Sequence, residues 1–186
     1  PDWKKLPKLM FETSLTSKAL TPGRRVEELL EGLIKAKDFN DLKIPFAAVA
    51  ADLSTGEAHI MNTGSLAHAI CASTAIPSVI RPVQYQGKTL VDGAVVHPVP
   101  AALVKSMGAD IVIAVNVSVE KFEKGSARHF VDSLLNTIDM MSTKMVKEEL
   151  QLADVVLHPD FGMNQITFQH TPFCVDAGML VTREKI

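Results

Sequence analysis

The sequence predicts an α/β fold with a mostly parallel sheet and helices on both of its faces. Two segments, 44–53 and 111–117, are nearly continuous apolar runs, as expected for strands buried on both faces. The segment 127–152 carries apolar residues at helical spacing, and a further apolar run follows at 155–158. A strand, a long helix and a strand in this order favour a right-handed parallel crossover.

The composition is that of an ordinary globular chain. With 186 residues, 47% of them apolar, the chain is long enough to bury one core. The net charge of −2, with both signs mixed, indicates neither a nucleic-acid partner nor a polybasic lipid-binding run. No apolar run reaches the roughly 18 residues of a membrane span, so no transmembrane segment is expected, whereas peripheral membrane contact stays compatible with the sequence. The sequence specifies no oligomeric state.

The two cysteines, Cys71 and Cys174, lie far apart in apolar surroundings. This setting favours buried thiols, although a single bridge between them stays open. Free thiols are typical of a reducing compartment, so we expect a cytoplasmic protein.

The first elements are a helix and a hairpin. Thr21 and Pro22 are typical of an N-cap and a first helical position. The stripe that follows at helical spacing consists of Val26, Leu29, Leu30, Leu33 and Ile34. The run 44–53 should then turn at 54–56 and pair with 57–61.

Asp52 ends the first predicted strand and is one candidate for a functional carboxylate. In a doubly wound sheet such positions line the ligand crevice. An acid directly before a Ser-Thr-Gly turn is more often a local capping group, and we favour that interpretation.

Ser73 is a second candidate, because Asp92 and His97 could complete a serine triad with it. The predicted helix from Gly64 stops at Pro77 and contains Ser73. A serine inside a helix lacks the strand-to-helix elbow that exposes a nucleophile, so the spacing does not support this triad.

Asp92 is a third candidate for a functional residue. A short hairpin over 85–91 should deliver it to the end of a strand, where Gly93 allows a sharp turn and a close approach of other groups. A carboxylate held in this way suits a general base. Taken alone, however, Asp-Gly is a common turn dipeptide, and an ordinary turn is then the favoured interpretation.

The second half of the chain completes the predicted fold with helices over 98–107 and 172–184 on either side of the crossover. The long helix carries Met140, Met141 and Met145, which could face lipid, although core packing is the favoured interpretation. His158 and His170 lack a Cys or His partner at metal spacing, so we expect no metal site, and we expect no cofactor.

Four segments in fixed order resemble the C-terminal half of the patatin-like phospholipases, a family of lipid acyl hydrolases. They are 44–56, 72–77 (ASTAIP), 91–95 (VDGAV) and 107–115. The resemblance covers 21–118 well and 153–159 more loosely.

The resemblance implies a three-layer fold and a serine–aspartate dyad in which Asp92 is the catalytic aspartate. The family's serine lies in a G-x-S-x-G elbow, and no two glycines of this chain stand four positions apart. We therefore expect the chain to be the C-terminal portion of a single patatin-like domain that lacks its N-terminal strand-helix units and is inactive by itself. The implied substrate is a lipid or another acyl ester. His97 departs from the family, which usually has asparagine or aspartate there.

One alternative function stays open. The chain could be a non-catalytic module that keeps the fold and binds lipid or protein. A nucleotide-binding domain is disfavoured, because the sequence has no G-x-G-x-x-G. Residues 1–20, which lack a clear period, could be a cap over a lipid site or a loosely packed terminus.

Overall fold

The computed structural model describes residues 23–118, 130–161 and 170–186, and it confirms the α/β class. The chain divides into two units, one ending at Val96 and the other beginning at His97, and each is described by itself. The predictions for 1–20 and for the cap at Thr21 and Pro22 lie outside the described residues.

Between Gly23 and Val96, the first unit contains two α-helices and a four-stranded sheet. Helix α1 covers Gly23–Leu33, and a short 3-10 turn follows at Phe39–Asp41. The remaining elements are β1 (Ala48–Asp52), β2 (Ala58–Met61), α2 (Leu66–Ser73), β3 (Val83–Tyr85), β4 (Lys88–Asp92) and a 3-10 turn at Gly93–Val95. The strand order is β2-β1-β4-β3.

All three strand pairs of this sheet are antiparallel, which corrects the prediction of a mostly parallel sheet. The turns after β1 and β3 are short, whereas a parallel pair needs a crossover of about a dozen residues or more. The predicted hairpins are confirmed, since Val49 pairs with Ile60 and Gln84 with Thr89.

The first predicted strand is shorter than its apolar run. All five residues of β1 are buried, but the ladder begins at Ala48, which pairs with the last residue of β2, Met61. Residues before Ala48 have no partner in this ladder, and Ile44 is 77% exposed. The prediction of a strand covered on both sides over 44–53 is therefore right for β1 and wrong for 44–47 and for Leu53, which is 57% exposed.

Helix α2 covers one face of the sheet with small side chains. Its Ala69 and Ala72 are completely buried, as are Ala50 of β1 and Leu90 of β4 in the same hydrophobic cluster. The helix begins at a Ser65 cap, whose hydroxyl accepts the His68 N–H at 3.3 Å. Close packing of α2 fixes the end of the helix, and the loop after it, against β4.

The second unit contains the predicted parallel crossover. Its elements are α3 (Ala101–Ser106), β5 (Ile113–Val115), α4 (Phe130–Leu150), β6 (Val155–Leu157) and α5 (Thr171–Lys185). Strands β5 and β6 pair in parallel, with Ile113 opposite Val155. The predicted beginning of the long helix, at 127, lies outside the described residues.

Two burial predictions fail in this unit. Ala114 is buried, but Ile113 and Val115 are each about half exposed, so β5 is covered on one face rather than two. Among the side chains of α4 that the structure describes, Ser142, Val146 and Glu149 are buried, while Met140 and Met141 are exposed and do not fill the core. The buried face of α4 therefore does not coincide with the face that carries its apolar residues at helical spacing. Within the described ranges, no helix has the length and apolar character needed to cross a membrane.

Candidate active site

Asp92 is the last residue of β4 and the N-cap of the 3-10 turn that follows, as the sequence predicts. Its Oδ1 accepts the Ala94 N–H at 2.9 Å, which leaves Oδ2 as the oxygen available to a reacting group. Burial raises the pKa of this carboxyl, and the hydrogen bond from Ala94 opposes the rise. A half-buried carboxylate with a raised pKa takes up a proton more readily than an exposed one does.

Gly93 is required at this turn by a close approach to β1. A Cβ at this position would lie 2.6 Å from the carbonyl carbon of Val49 and still closer to its oxygen. The φ angle of Gly93 is not in the left-handed region, so the turn does not require a glycine for its backbone conformation. The glycine is required because another part of the backbone approaches it closely. The absence of a side chain lets the turn lie against the β1 backbone and so fixes where Asp92 points.

The loop after α2 holds the backbone of Asp92 from the other side. The Asp92 N–H donates to the carbonyl oxygen of Ala75 at 3.0 Å. Ala75 is completely buried and belongs to the ASTAIP segment, which is separate in the sequence from the VDGAV segment that contains Asp92. Two of the motifs singled out in the sequence are therefore joined directly at the candidate base, a contact that sequence reasoning did not specify.

Asp52 is a satisfied turn group. Its Oδ1 accepts both the hydroxyl and the N–H of Ser54, at 2.6 and 2.9 Å, and Lys88 Nζ lies 3.3 Å from Oδ2. The Ser54 hydroxyl is the main cause of the lowered pKa of Asp52, with its amide next. A carboxylate held in its charged form by these partners makes a weak general base, which supports the capping interpretation.

Ser73 and His97 belong to different units of the chain. Ser73 is the final residue of α2 rather than part of a strand-to-helix elbow, which agrees with the argument against a triad. His97 lies in the second unit, where its Nδ1 is 2.7 Å from Oε1 of Glu149 on α4. The other carboxylate oxygen of Glu149 accepts the Ala102 N–H at 2.9 Å, near the start of α3.

Glu149 was not identified from the sequence as the partner of His97. The two residues are 52 positions apart, and a glutamate near the end of a charged helix gives no local signal of burial.

Both cysteines are free thiols, as the sequence favoured, with Cys71 buried and Cys174 half-buried. Burial raises the pKa of Cys71 to about 11. In the part of the chain that the structure describes, no three His, Cys, Asp or Glu side chains are grouped to hold a metal ion.

Comparison with known proteins places this geometry in a family context. A family model described as "Patatin-like phospholipase" matches residues 4–105. An uncharacterised NTE family protein of Mycobacterium bovis is 32% identical over 146 residues, covering 78% of this chain and 39% of that protein. Rat patatin-like phospholipase domain-containing protein 7 is 24% identical over 118 residues, covering 62% of this chain and 9% of that protein. The chain thus spans less than half the length of these relatives.

Proposed function

Because the chain belongs to the patatin-like phospholipase family, we propose that it forms part of a lipid acyl hydrolase and supplies the general base, Asp92. The observation that carries this proposal is the setting of Asp92 at the end of β4. Its backbone is held by Ala75, one carboxylate oxygen is bound by Ala94, and its pKa is raised by burial. This combination positions a carboxylate and leaves one oxygen for proton transfer.

In the proposed reaction a serine from a G-x-S-x-G segment outside the printed sequence attacks the ester carbonyl of a lipid. Oδ2 of Asp92 takes the hydroxyl proton as the serine oxygen bonds to the carbonyl carbon, and it gives this proton to the alcohol oxygen as the ester C–O bond breaks, which leaves an acyl-serine. Asp92 then takes a proton from the water that attacks the acyl-serine and returns it to the serine oxygen as that bond breaks, which releases the fatty acid. No histidine intervenes between serine and acid, and no metal or cofactor takes part.

In this proposal, residues 1–186, including 1–20, form the C-terminal portion of one patatin-like domain. This portion is inactive by itself. The matched family segment, 4–105, contains Asp92 but no G-x-S-x-G, which supports this division. The free thiols Cys71 and Cys174 favour the cytoplasm as its compartment.

Labelling with a fluorophosphonate probe tests the proposal. The 186-residue chain should take up no probe at any serine, and specific labelling of Ser73 would refute the assignment of roles. In a longer chain that includes a G-x-S-x-G segment, Asp92→Asn should abolish ester hydrolysis, whereas Asp52→Asn, a matched carboxylate-to-amide change, should retain it. Full hydrolysis by the Asp92→Asn variant would exclude Asp92 as the base.

A non-catalytic module that binds lipid or protein is the second candidate, favoured by the absence of the elbow from the sequence. A natural full-length chain without G-x-S-x-G, inert toward ester substrates yet able to bind vesicles or a protein, would support it over the hydrolase.

A further inference from the structure

The side chains of β5 and of the residues just before it alternate between a buried face and an exposed face. Ala114 points to the buried face, where it packs with Val146 of α4. The exposed face consists of β-branched aliphatic side chains that are 50% to 69% exposed, namely Ile111, Ile113 and Val115. Strand β5 thus has one face covered by α4 and one aliphatic face that the described residues leave largely uncovered.

The backbone of β5 likewise has one paired edge and one open edge. Toward β6, the Asn116 N–H donates to the Leu157 carbonyl at 2.8 Å, and the Val112 carbonyl accepts an N–H of β6 at 3.1 Å. Because successive strand residues point their N–H and C=O groups to opposite edges, those of Ile113 and Val115 point away from β6. The described residues form a sheet of only two strands here, so no neighbouring strand among them pairs with this open edge.

A further β-strand is the partner that fits the open edge. A row of backbone donors and acceptors at strand spacing is paired by the backbone of another strand. Lipid does not fit, because acyl chains cannot pair with N–H and C=O groups. A second copy related by a twofold axis would align two three-residue strands at their edges but would not cover the aliphatic face of β5.

A strand followed by a helix would complete both the edge and the face. Strands β5 and β6 are parallel, and parallel sheets are covered on both faces by the helices of their crossovers. A sheet of two strands also gains stability from a third. The G-x-S-x-G segment that the proposed function requires contains such a unit, since its serine lies at a strand-to-helix turn.

We propose that a strand of the G-x-S-x-G segment pairs in parallel with the open edge of β5, an inference that rests on the proposed function. The N–H and C=O groups of Ile113 and Val115 form the ladder with this strand. The helix that follows the strand covers the aliphatic face of Ile111, Ile113 and Val115. Strand β5 is then the element through which that segment joins the second unit.

NMR measurements of amide exchange and NOEs test the pairing in a longer chain that includes the G-x-S-x-G segment and in the 186-residue chain. The Ile113 and Val115 amides should exchange roughly a hundredfold more slowly in the longer chain. They should also show NOEs to a strand outside the printed sequence. The Asn116 amide is the internal control, since its bond to Leu157 should protect it in both chains.

Fast exchange of the Ile113 and Val115 amides in the longer chain, or NOEs from them to another segment, would overturn the proposal. Protection of both amides already in the 186-residue chain would overturn it as well. If that protection rises with protein concentration, the open edge belongs to a second copy, and if it does not, the edge is paired within the 186 residues.

Val115→Lys tests the covered face separately. It should leave the urea midpoint of the 186-residue chain nearly unchanged, because Val115 is half exposed there, and should lower that of the longer chain, where the lysine would be buried. Leu180→Lys, at a 62% exposed position of α5, is the matched control and should act alike in both chains. Equal effects of Val115→Lys on the two chains would contradict the proposed cover.

Hydrolysis and strand pairing can fail independently. A longer chain with protected Ile113 and Val115 amides that hydrolyses no ester would refute the proposed function and leave the pairing standing. A longer chain that hydrolyses esters while these two amides exchange freely would refute the pairing and leave the proposed function standing.

Discussion

Replacing Gly93 with alanine tests whether close backbone approach fixes the candidate base. The new Cβ would lie 2.6 Å from the Val49 carbonyl carbon and 3.2 Å from the Ala50 nitrogen. Both are backbone atoms of a fully buried strand, so neither can rotate away as a flexible side chain would. The turn at Gly93–Val95 must therefore move off β1, and Asp92 must move with it.

The cost of this displacement can be estimated from the overpacking of buried sites. Extra atoms forced into a packed core typically cost about 1–3 kcal/mol, and a contact with rigid backbone belongs at the upper end, about 3 kcal/mol. Urea unfolding followed by circular dichroism measures the loss as a lower midpoint at unchanged slope.

Gly32→Ala is the matched control for this substitution. Gly32 lies in α1, has no positive φ, and a Cβ there would meet nothing within 4 Å. Alanine in a helix interior stabilises a chain by about 0.5–1 kcal/mol relative to glycine, and because Gly32 is the penultimate residue of α1, the gain here should be smaller than that. If Gly93→Ala unfolds within about 0.5 kcal/mol of the parent chain, a margin typical of inconsequential surface changes, the steric argument for Asp92 placement is refuted.

Three further predictions follow from the titrating groups. Because burial raises the pKa of Asp92, its charge opposes folding above that pKa, and this penalty disappears below about pH 4. The Asp92→Asn variant should therefore gain more stability over the parent chain at pH 8 than at pH 4. An equal gain at both pH values would contradict the destabilising effect of the buried charge. Because the hydrogen bonds from Ser54 lower the pKa of Asp52, the Asp52→Asn variant should unfold at a lower urea concentration than the parent chain at pH 7. The difference in stability should vanish as the pH falls through the lowered pKa. A difference that is constant with pH would exclude the ionised carboxylate as its source. Iodoacetamide at pH 8 should alkylate the half-buried Cys174 well before Cys71, whose pKa is raised by burial to about 11, and mass spectrometry that finds Cys71 modified first would refute this order.

The local features of the first unit were accessible from the sequence because they depend on neighbouring residues. The Ser-Thr-Gly turn after β1 and the Gln-Gly turn before β4 impose hairpins on short connections, and both hairpins are present. The same connections make the β1–β2 and β3–β4 pairs antiparallel, and the central β1–β4 pair is antiparallel as well, so the sheet is not the mostly parallel one that the buried-strand pattern suggested.

Burial was the less predictable property, because it depends on which other elements cover a side chain. The run 44–53 is nearly continuously apolar, yet only the part with partners in the β ladder is buried. On β5 the alternation of buried Ala114 with exposed Ile113 and Val115 reflects cover on one face, which hydropathy does not encode.

The sequence by itself determined the α/β class, the hairpins and the position of Asp92 at the end of a strand, because each depends on short-range patterns of turns and apolar residues. Only the tertiary structure decided that Ala75 holds the Asp92 backbone, that Glu149 is the partner of His97 and that Ile44 faces outward. These contacts join residues 17 to 52 positions apart or depend on the extent of a ladder, and such distances are set by how the elements pack rather than by any local preference of the chain.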